Sequence, residues 1–94
     1  MKNIVISKEA SDKIDDIYSS ILERFNKKVA DKFLNETFDI IKHASYYIGL
    51  GKKYRDNIRF QIVKKRTLVF YRCEEQTMFV IVVHLAKENW LNKI

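Results

Sequence analysis

His84, at the end of a long apolar run, is the residue of this chain best suited to acid–base chemistry. The run extends from Met78 to Val83, and the polar sequence "LAKENW" follows the histidine. An imidazole with its unperturbed pKa of about 6.5 can donate or accept a proton at neutral pH. A histidine at the end of a strand is more often a packing residue. The sequence therefore leaves two interpretations of His84 open, a catalytic group and a structural strand end.

A basic segment, "KKYRDNIRFQIVKKR" at residues 52–66, is the second feature with chemical consequences. It contains seven Lys or Arg residues and a single acidic residue, Asp56. Residues 7–49 instead carry seven basic and eight acidic residues, so the net charge of +6 arises in the second half of the chain. An excess confined to one segment indicates an acidic partner, and a solvated basic surface is the alternative.

Metal and thiol chemistry find little support in the sequence. The chain has one cysteine, Cys73, within an apolar stretch. A single cysteine excludes an internal disulfide and argues against a thiolate metal site, and its apolar neighbours favour a small packed residue. His43 falls outside the apolar stripe of its segment and is expected to be exposed. We therefore expect no metal and no cofactor.

Two long helices are predicted to position these residues. After a short strand-like run, "NIVI", Ser7 is a suitable N-cap, and apolar residues then recur every three or four positions as far as Phe25. A second stripe of this kind runs from Val29 and stops at Gly49 and Gly51, the only glycines. Helices of about 18 and 22 residues with so short a connection predict an antiparallel helical hairpin.

Strands are predicted after the glycines, where the apolar period changes. Residues 58–63, 67–73 and 77–84 read as strands joined by short polar turns, which is typical of an antiparallel meander. The last strand is apolar on both faces and should be interior. The prediction is an α+β fold, β-α-α-β-β-β, with the long helical hairpin packed on one face of a mainly antiparallel four-stranded sheet. A short C-terminal arm follows.

Length and composition fit one globular domain, residues 1–94. The chain is 47% hydrophobic and 32% charged. It has no apolar run near the roughly 20 residues that span a bilayer, so no membrane association is expected. The start, "MKNIVISKEA", lacks the features of a signal peptide. These observations predict a cytoplasmic protein.

The second half of the chain resembles the RelE/ParE family of toxins from bacterial toxin–antitoxin systems. The matching features are Arg59 in the strand "NIRFQIV", the strand "LVFYR", and a final strand that ends in His84 before a charged stretch. The first strand and the helical hairpin fit the family too. The resemblance implies a cognate antitoxin. The C-terminal segment of the antitoxin would bind the toxin, and the two proteins would form a hetero-oligomer.

The resemblance implies one of two activities. RelE-like members are ribosome-dependent mRNA endoribonucleases, whereas ParE-like members inhibit DNA gyrase without known nuclease chemistry. RNA cleavage needs a base, cations beside the phosphate and an acid for the leaving oxygen. Two positions depart from the nuclease pattern, because Leu68 stands where the third-strand arginine is expected and Trp90 where a tyrosine or histidine is expected. The remaining nuclease candidates are Lys52, Arg55, Arg59, Arg72, His84 and Lys87.

These departures, together with the long helices, favour a ParE-like growth inhibitor that acts on DNA gyrase by protein binding. No catalytic residue is assigned on this interpretation. The alternatives are a RelE-like nuclease acting on ribosome-bound mRNA and an accessory nucleic-acid-binding or inert toxin-like protein. The predicted target-binding residues are Lys64, Lys65, Arg66, Lys87 and Trp90.

A partner surface is also predicted on the last strand. One helical hairpin cannot cover both faces of a strand that is apolar throughout. Met78, Val80 and Val82 alternate along it and are predicted to share a face with one another. An exposed apolar patch of this kind marks a partner site, so these three residues are the predicted antitoxin contacts.

Overall fold

The element order confirms the predicted fold class, two helices packed on one sheet, and adds a fifth strand. The computed structural model describes residues 2–87, and for Ile48 only the backbone. The added strand, Lys52–Arg55, was expected to be a loop. The elements are β1 (Asn3–Ile6), α1 (Lys8–Arg24), α2 (Lys27–Tyr46), a 3-10 turn (Ile48–Leu50), β2 (Lys52–Arg55), β3 (Ile58–Val63), β4 (Thr67–Glu74) and β5 (Thr77–Leu85).

Side-chain caps define where the two helices begin. The Ser7 hydroxyl oxygen accepts a hydrogen bond from the Ala10 N–H at 3.0 Å, as the sequence predicted. The Asn26 side chain accepts one from the Val29 N–H, also at 3.0 Å. The Asn26 backbone is extended, so the residue begins α2 directly after the end of α1. Within residues 2–87, no helix is long and apolar enough to cross a membrane.

The sheet has the order β1-β5-β4-β3-β2, with β1 parallel to β5 and the other pairs antiparallel. The apolar strand β5 is therefore interior, as predicted. A register shift in the β4–β5 pair sets Phe70 opposite Val82 and Tyr71 opposite Val80, which leaves Ile81 as the extra residue of a bulge. Because directly opposed residues share a face, this bulge turns Val80 and Val82 to opposite faces.

The main core lies between the helices and one face of the sheet. Full burial of one large aliphatic or aromatic side chain contributes about 1.5–3 kcal/mol. Residues of this core include Ala10, Ile14, Ile17, Ile41, Ala44, Val69, Tyr71, Met78, Val80 and Val83. The opposite face carries a smaller cluster, drawn from the strands alone: Leu68, Phe70 and Val82, with Tyr54, Ile58, Phe60 and Ile81 against them.

The β3–β4 hairpin tip, Lys64–Arg66, has a strained backbone. Lys64 and Lys65 have φ values of 52° and 61°. The Arg66 N–H donates to the Val63 carbonyl oxygen at 3.1 Å and closes the turn. Asn-Gly adopts such a turn readily, whereas a left-handed conformation costs most other residues roughly 1–2 kcal/mol. The tip therefore lowers the stability of the domain.

Replacing Lys64→Asn together with Lys65→Gly should raise the free energy of unfolding by about 1 kcal/mol, because Asn and Gly adopt positive φ more easily. Urea denaturation measures this change in free energy, and the m-value should stay the same. The control is Lys53→Gly within β2, where glycine should destabilise by roughly 0.5–1 kcal/mol. Destabilisation by the hairpin replacement would contradict the positive φ values.

Candidate functional site

The nuclease candidates are divided between the two faces of the sheet. Arg59 pairs with Tyr71, which belongs to the core beneath the helices. The others on the strands pair with residues of the opposite face: Lys52 with Phe60, Arg55 with Ile58, Arg72 with Ile58 and Phe79, and His84 with Leu68. The sheet therefore separates Arg59 from the other candidates on the strands.

His84 is buried among apolar side chains on the face away from the helices. It is 7% exposed, and its ring lies edge-on to Phe70 with centroids 6.1 Å apart. Strict alternation along β5 would place it on the face predicted for Val80 and Val82. The bulge makes this wrong for Val80 and right for Val82. The surroundings of His84 are those of a packed strand end.

Arg72 is occupied by contacts within its own face. Its guanidinium lies 4.5 Å from the centroid of the Phe79 ring, a cation–π arrangement. It also forms an ion pair with Glu74. These contacts hold the arginine along the sheet surface beside the β4–β5 turn.

Arg59 fastens the segment between α2 and β2 to the sheet. Its Nη1 donates to the Gly51 carbonyl oxygen at 2.9 Å, and the Gly51 N–H donates to the Tyr71 hydroxyl at 3.1 Å. Burial raises the pKa of Tyr71 above its ordinary value, so the hydroxyl remains protonated at neutral pH. The network is structural and explains why Arg59 lies apart from the other candidates.

The predicted target-binding cations come together at one end of the sheet. Lys64, Lys65 and Arg66 form the β3–β4 tip. The Ala86 N–H donates to the Arg66 carbonyl oxygen at 2.6 Å, so Lys87 follows directly beside this tip. Trp90 lies outside the described residues. Lys64, Lys65, Arg66 and Lys87 therefore lie close together and form one basic surface. We call this surface the basic tip.

The predicted antitoxin contacts do not form one open surface. Met78 and Val80 are 0% and 1% exposed within the core beneath the helices. Val82 lies on the opposite face and is itself only 6% exposed. The expectation that all three line a shared apolar patch is wrong, because the bulge at Ile81 breaks the alternation along β5.

A cleft of about 850 Å³ lies between the turn end of the helical hairpin and the basic tip. The sequence did not predict this cleft. The apolar stripes of the two helices do continue to Phe25 and Val29, beyond the helix residues that the sheet covers. Phe25 is 63% exposed. Apolar lining comes from Ile17, Ile21, Phe25, Val29, Phe33 and Leu85, and basic lining from Lys13, Arg24, Lys32, Lys64, Lys65, Arg66 and Lys87. Among the described residues, the acidic lining comes from Asp16 and Glu36.

Metal binding finds no support in the part of the chain that the structure describes. Within residues 2–87, no group of three or more His, Cys, Asp and Glu side chains is arranged to hold an ion. Burial raises the pKa of the Cys73 thiol, so thiolate is scarce at neutral pH. Cys73 is a packed residue at the edge of the main core.

Comparison with known proteins identifies the family. The family model described as the ParE toxin of the type II toxin–antitoxin system, parDE, matches residues 4–90. The chain belongs to the ParE toxin family. A solved structure described as the chromosomal ParDE toxin–antitoxin system from P. aeruginosa is similar, with a TM-score of 0.81. Its identity to this ParE family member is 13%, over 93% of this chain and 98% of that chain, which shows a shared fold. No match was found among curated protein sequences.

Gly51→Ala should destabilise this ParE family toxin by about 1–3 kcal/mol, the usual cost of overpacking. An added Cβ would overlap the Tyr71 hydroxyl and lie 2.9 Å from the Phe60 carbonyl oxygen. The matched control is Gly49→Ala, where a Cβ meets nothing within 4 Å and the change should stay within about 0.5 kcal/mol. Thermal unfolding of both variants measures the difference. Equal effects would show that the Gly51 contacts are not as described.

Proposed function

We propose that this ParE family toxin inhibits DNA gyrase by binding it, without cleaving a substrate. The observation that carries the proposal is the family match, which extends over residues 4–90. Gyrase inhibition is the usual activity of ParE toxins. The toxin then acts through a surface that contacts its target, and a cognate antitoxin neutralises it in a hetero-oligomer.

The arrangement of the nuclease candidates supports binding over catalysis. A ribonuclease must set a base, a cation and an acid around one phosphate. Here Arg59 lies on the helix-covered side, and Arg72 is engaged with Phe79 and Glu74. His84 is separated from them by the apolar cluster on its own face, with Leu68 directly opposite. The RelE-like alternative gains no support from this geometry.

The basic tip is the proposed contact with the target, together with Trp90 beyond the described residues. Its cations are gathered at one end of the domain, and an electrostatic surface of this kind accelerates encounter with acidic partners. Gyrase works on DNA, so a toxin bound to it encounters both acidic protein surface and phosphates. The basic tip lies at the end of the β3–β4 hairpin, and the rest of the domain holds this hairpin in place.

Expression of the toxin in bacteria should arrest growth and induce a DNA-damage response while mRNA stays intact. The variant His84→Ala should keep this activity, because His84 serves packing and not chemistry. Purified toxin should likewise inhibit supercoiling by gyrase. Growth curves, a DNA-damage reporter and primer extension on cellular mRNA make the measurement.

Protein level is the control, because truncating a buried side chain such as His84 costs roughly 1–3 kcal/mol of stability. Toxin amounts should therefore be matched by immunoblotting. Codon-specific mRNA cleavage that disappears in His84→Ala would establish the RelE-like alternative. If bacteria grow normally while they express the unaltered chain, the protein is inert or has an accessory role.

The cleft, rather than Met78, Val80 and Val82, is the proposed antitoxin site. Its apolar lining and basic rim match an amphipathic segment with acidic residues on its polar side. The volume of about 850 Å³ accommodates several side chains, as do typical binding clefts. Phe25 is the most exposed of its apolar lining residues and is the natural anchor.

Phe25→Ser should weaken antitoxin binding roughly 30-fold, equivalent to the loss of an anchor of about 2 kcal/mol. Its effect on folding should be small, because the side chain is 63% exposed. Isothermal titration calorimetry with the cognate antitoxin measures the affinity. The matched control is Phe38→Ser, since Phe38 is 41% exposed on α2 and does not line the cleft. Similar losses for both variants would argue against the cleft.

A further inference from the structure

The strained lysine pair at the β3–β4 tip points to a direct contact with DNA. We propose that the basic tip binds the phosphate backbone of duplex DNA without regard to sequence. The proposal rests on the proposed function, since gyrase supplies the DNA in the cell. It adds that the toxin contacts nucleic acid as well as protein.

Backbone strain is the first observation behind this proposal. Lys64 and Lys65 both have positive φ, whereas the other two hairpins of the described chain have one such residue each, Asp56 and Glu75. Asn and Gly would form the same turn with less strain, but without charge. Strained backbone persists where the side chains it carries serve a function. The tip therefore keeps two cations where the turn favours neutral residues.

Unneutralised charge is the second observation. The Lys64 Nζ lies 3.8 Å from the Glu36 Oε1, and 68% of the lysine side chain is exposed. An exposed ion pair at this distance contributes little to stability. Within residues 2–87, the side chains of Lys65 and Arg66 form no ion pair. The hydrogen bond between Ala86 and Arg66 brings Lys87 to the same place. Among the described residues, four cations thus share a small surface, and Glu36 and Asp16 are the acidic groups of the adjoining cleft.

The chemistry of the basic tip favours phosphates over bases or an acidic protein. Residues 64–66 offer only cationic side chains, which neutralise phosphates in any sequence, and include no aromatic side chain for stacking on exposed bases. Lys and Arg contact phosphates as charges, which positions a protein on DNA. Protein interfaces draw most of their affinity from a few anchors that are rich in aromatic side chains and arginine. Residues 64–66 include no aromatic side chain, and the large apolar side chains line the cleft instead.

The overlap between cleft and tip has a further consequence for neutralisation. Lys64, Lys65 and Arg66 line the cleft as well as forming the tip. A segment seated in the cleft with its acidic side towards the rim would pair with the same cations. Antitoxin binding and DNA binding should therefore exclude one another.

Fluorescence anisotropy with a labelled duplex of about 20 base pairs tests the proposal on the purified toxin at 50 mM salt, low enough to favour phosphate contacts. The variant Lys64→Asn/Lys65→Gly should bind at least tenfold more weakly, with the slope of log affinity against log salt reduced by about 2. It should also be at least as stable as the unaltered toxin, so misfolding does not explain a loss. Duplexes of different sequence should bind alike.

The matched control, Lys52→Gln/Lys53→Gln, removes two lysines from β2, away from the basic tip, and should retain most of the affinity. The variant Lys64→Arg/Lys65→Arg keeps the charge and should bind like the unaltered toxin. No binding by the unaltered toxin, or equal losses in the tip and control variants, would overturn the proposal. Stronger binding to polyglutamate than to the duplex would also overturn it, in favour of an acidic protein partner.

A gyrase supercoiling assay with the same variants separates this proposal from the proposed function. Inhibition that is lost only in the tip variant supports both. Inhibition that survives undiminished in a tip variant that has lost DNA binding refutes a role of the basic tip in gyrase inhibition, as target contact and as DNA contact, and leaves gyrase inhibition itself standing. Tip-dependent DNA binding without any gyrase inhibition supports the DNA contact and refutes the gyrase target.

Discussion

The bulge at Ile81 is the constraint on which the arrangement of both faces depends. Strand side chains alternate, so one extra residue exchanges the faces of everything that follows it. Before the bulge, Met78 and Val80 contribute to the core under the helices. After it, Val83 occupies that core while Val82 and His84 turn away. Without this shift, His84 would point into the helix-facing core instead of packing against Phe70 on the opposite face.

The contacts around Gly51 give the second constraint. Arg59 and Tyr71 each bond the glycine backbone, from neighbouring strands, and hold the end of α2 against the sheet. This tie engages Arg59, the arginine that matches the family pattern, in a contact with the backbone of Gly51.

Local patterns in the sequence were sufficient for the helices and most strands. The Ser7 cap and the apolar stripes follow from contacts within a few residues, and both were confirmed. The strand β2 was missed because "KKYR" is polar and its strand character comes only from pairing with β3. The bulge was missed because it arises between two strands and leaves no mark in the composition of either.

The site was foreseen in its parts but not in its arrangement. The run of cations at residues 64–66 was evident from charge alone, while its proximity to Lys87 depends on the backbone bond between Ala86 and Arg66. The prediction that Met78, Val80 and Val82 share one open face was wrong because strict alternation was assumed along β5. The cleft exists because the helices extend past the sheet. This distance depends on how helices and strands pack together, so it cannot be read from the sequence of one segment.

The strand β2 gives half of the basic segment a different meaning. It is an edge strand, and an edge presents unpaired backbone groups on which another chain can add as a further strand. Lys52, Lys53 and Arg55 are all exposed along it. Charges of one sign on an edge repel an identical edge and so oppose sheet-to-sheet aggregation. The run of cations from 52 to 66 therefore falls into two parts, an edge strand whose charges oppose pairing with an identical edge and a hairpin tip that is the proposed contact surface.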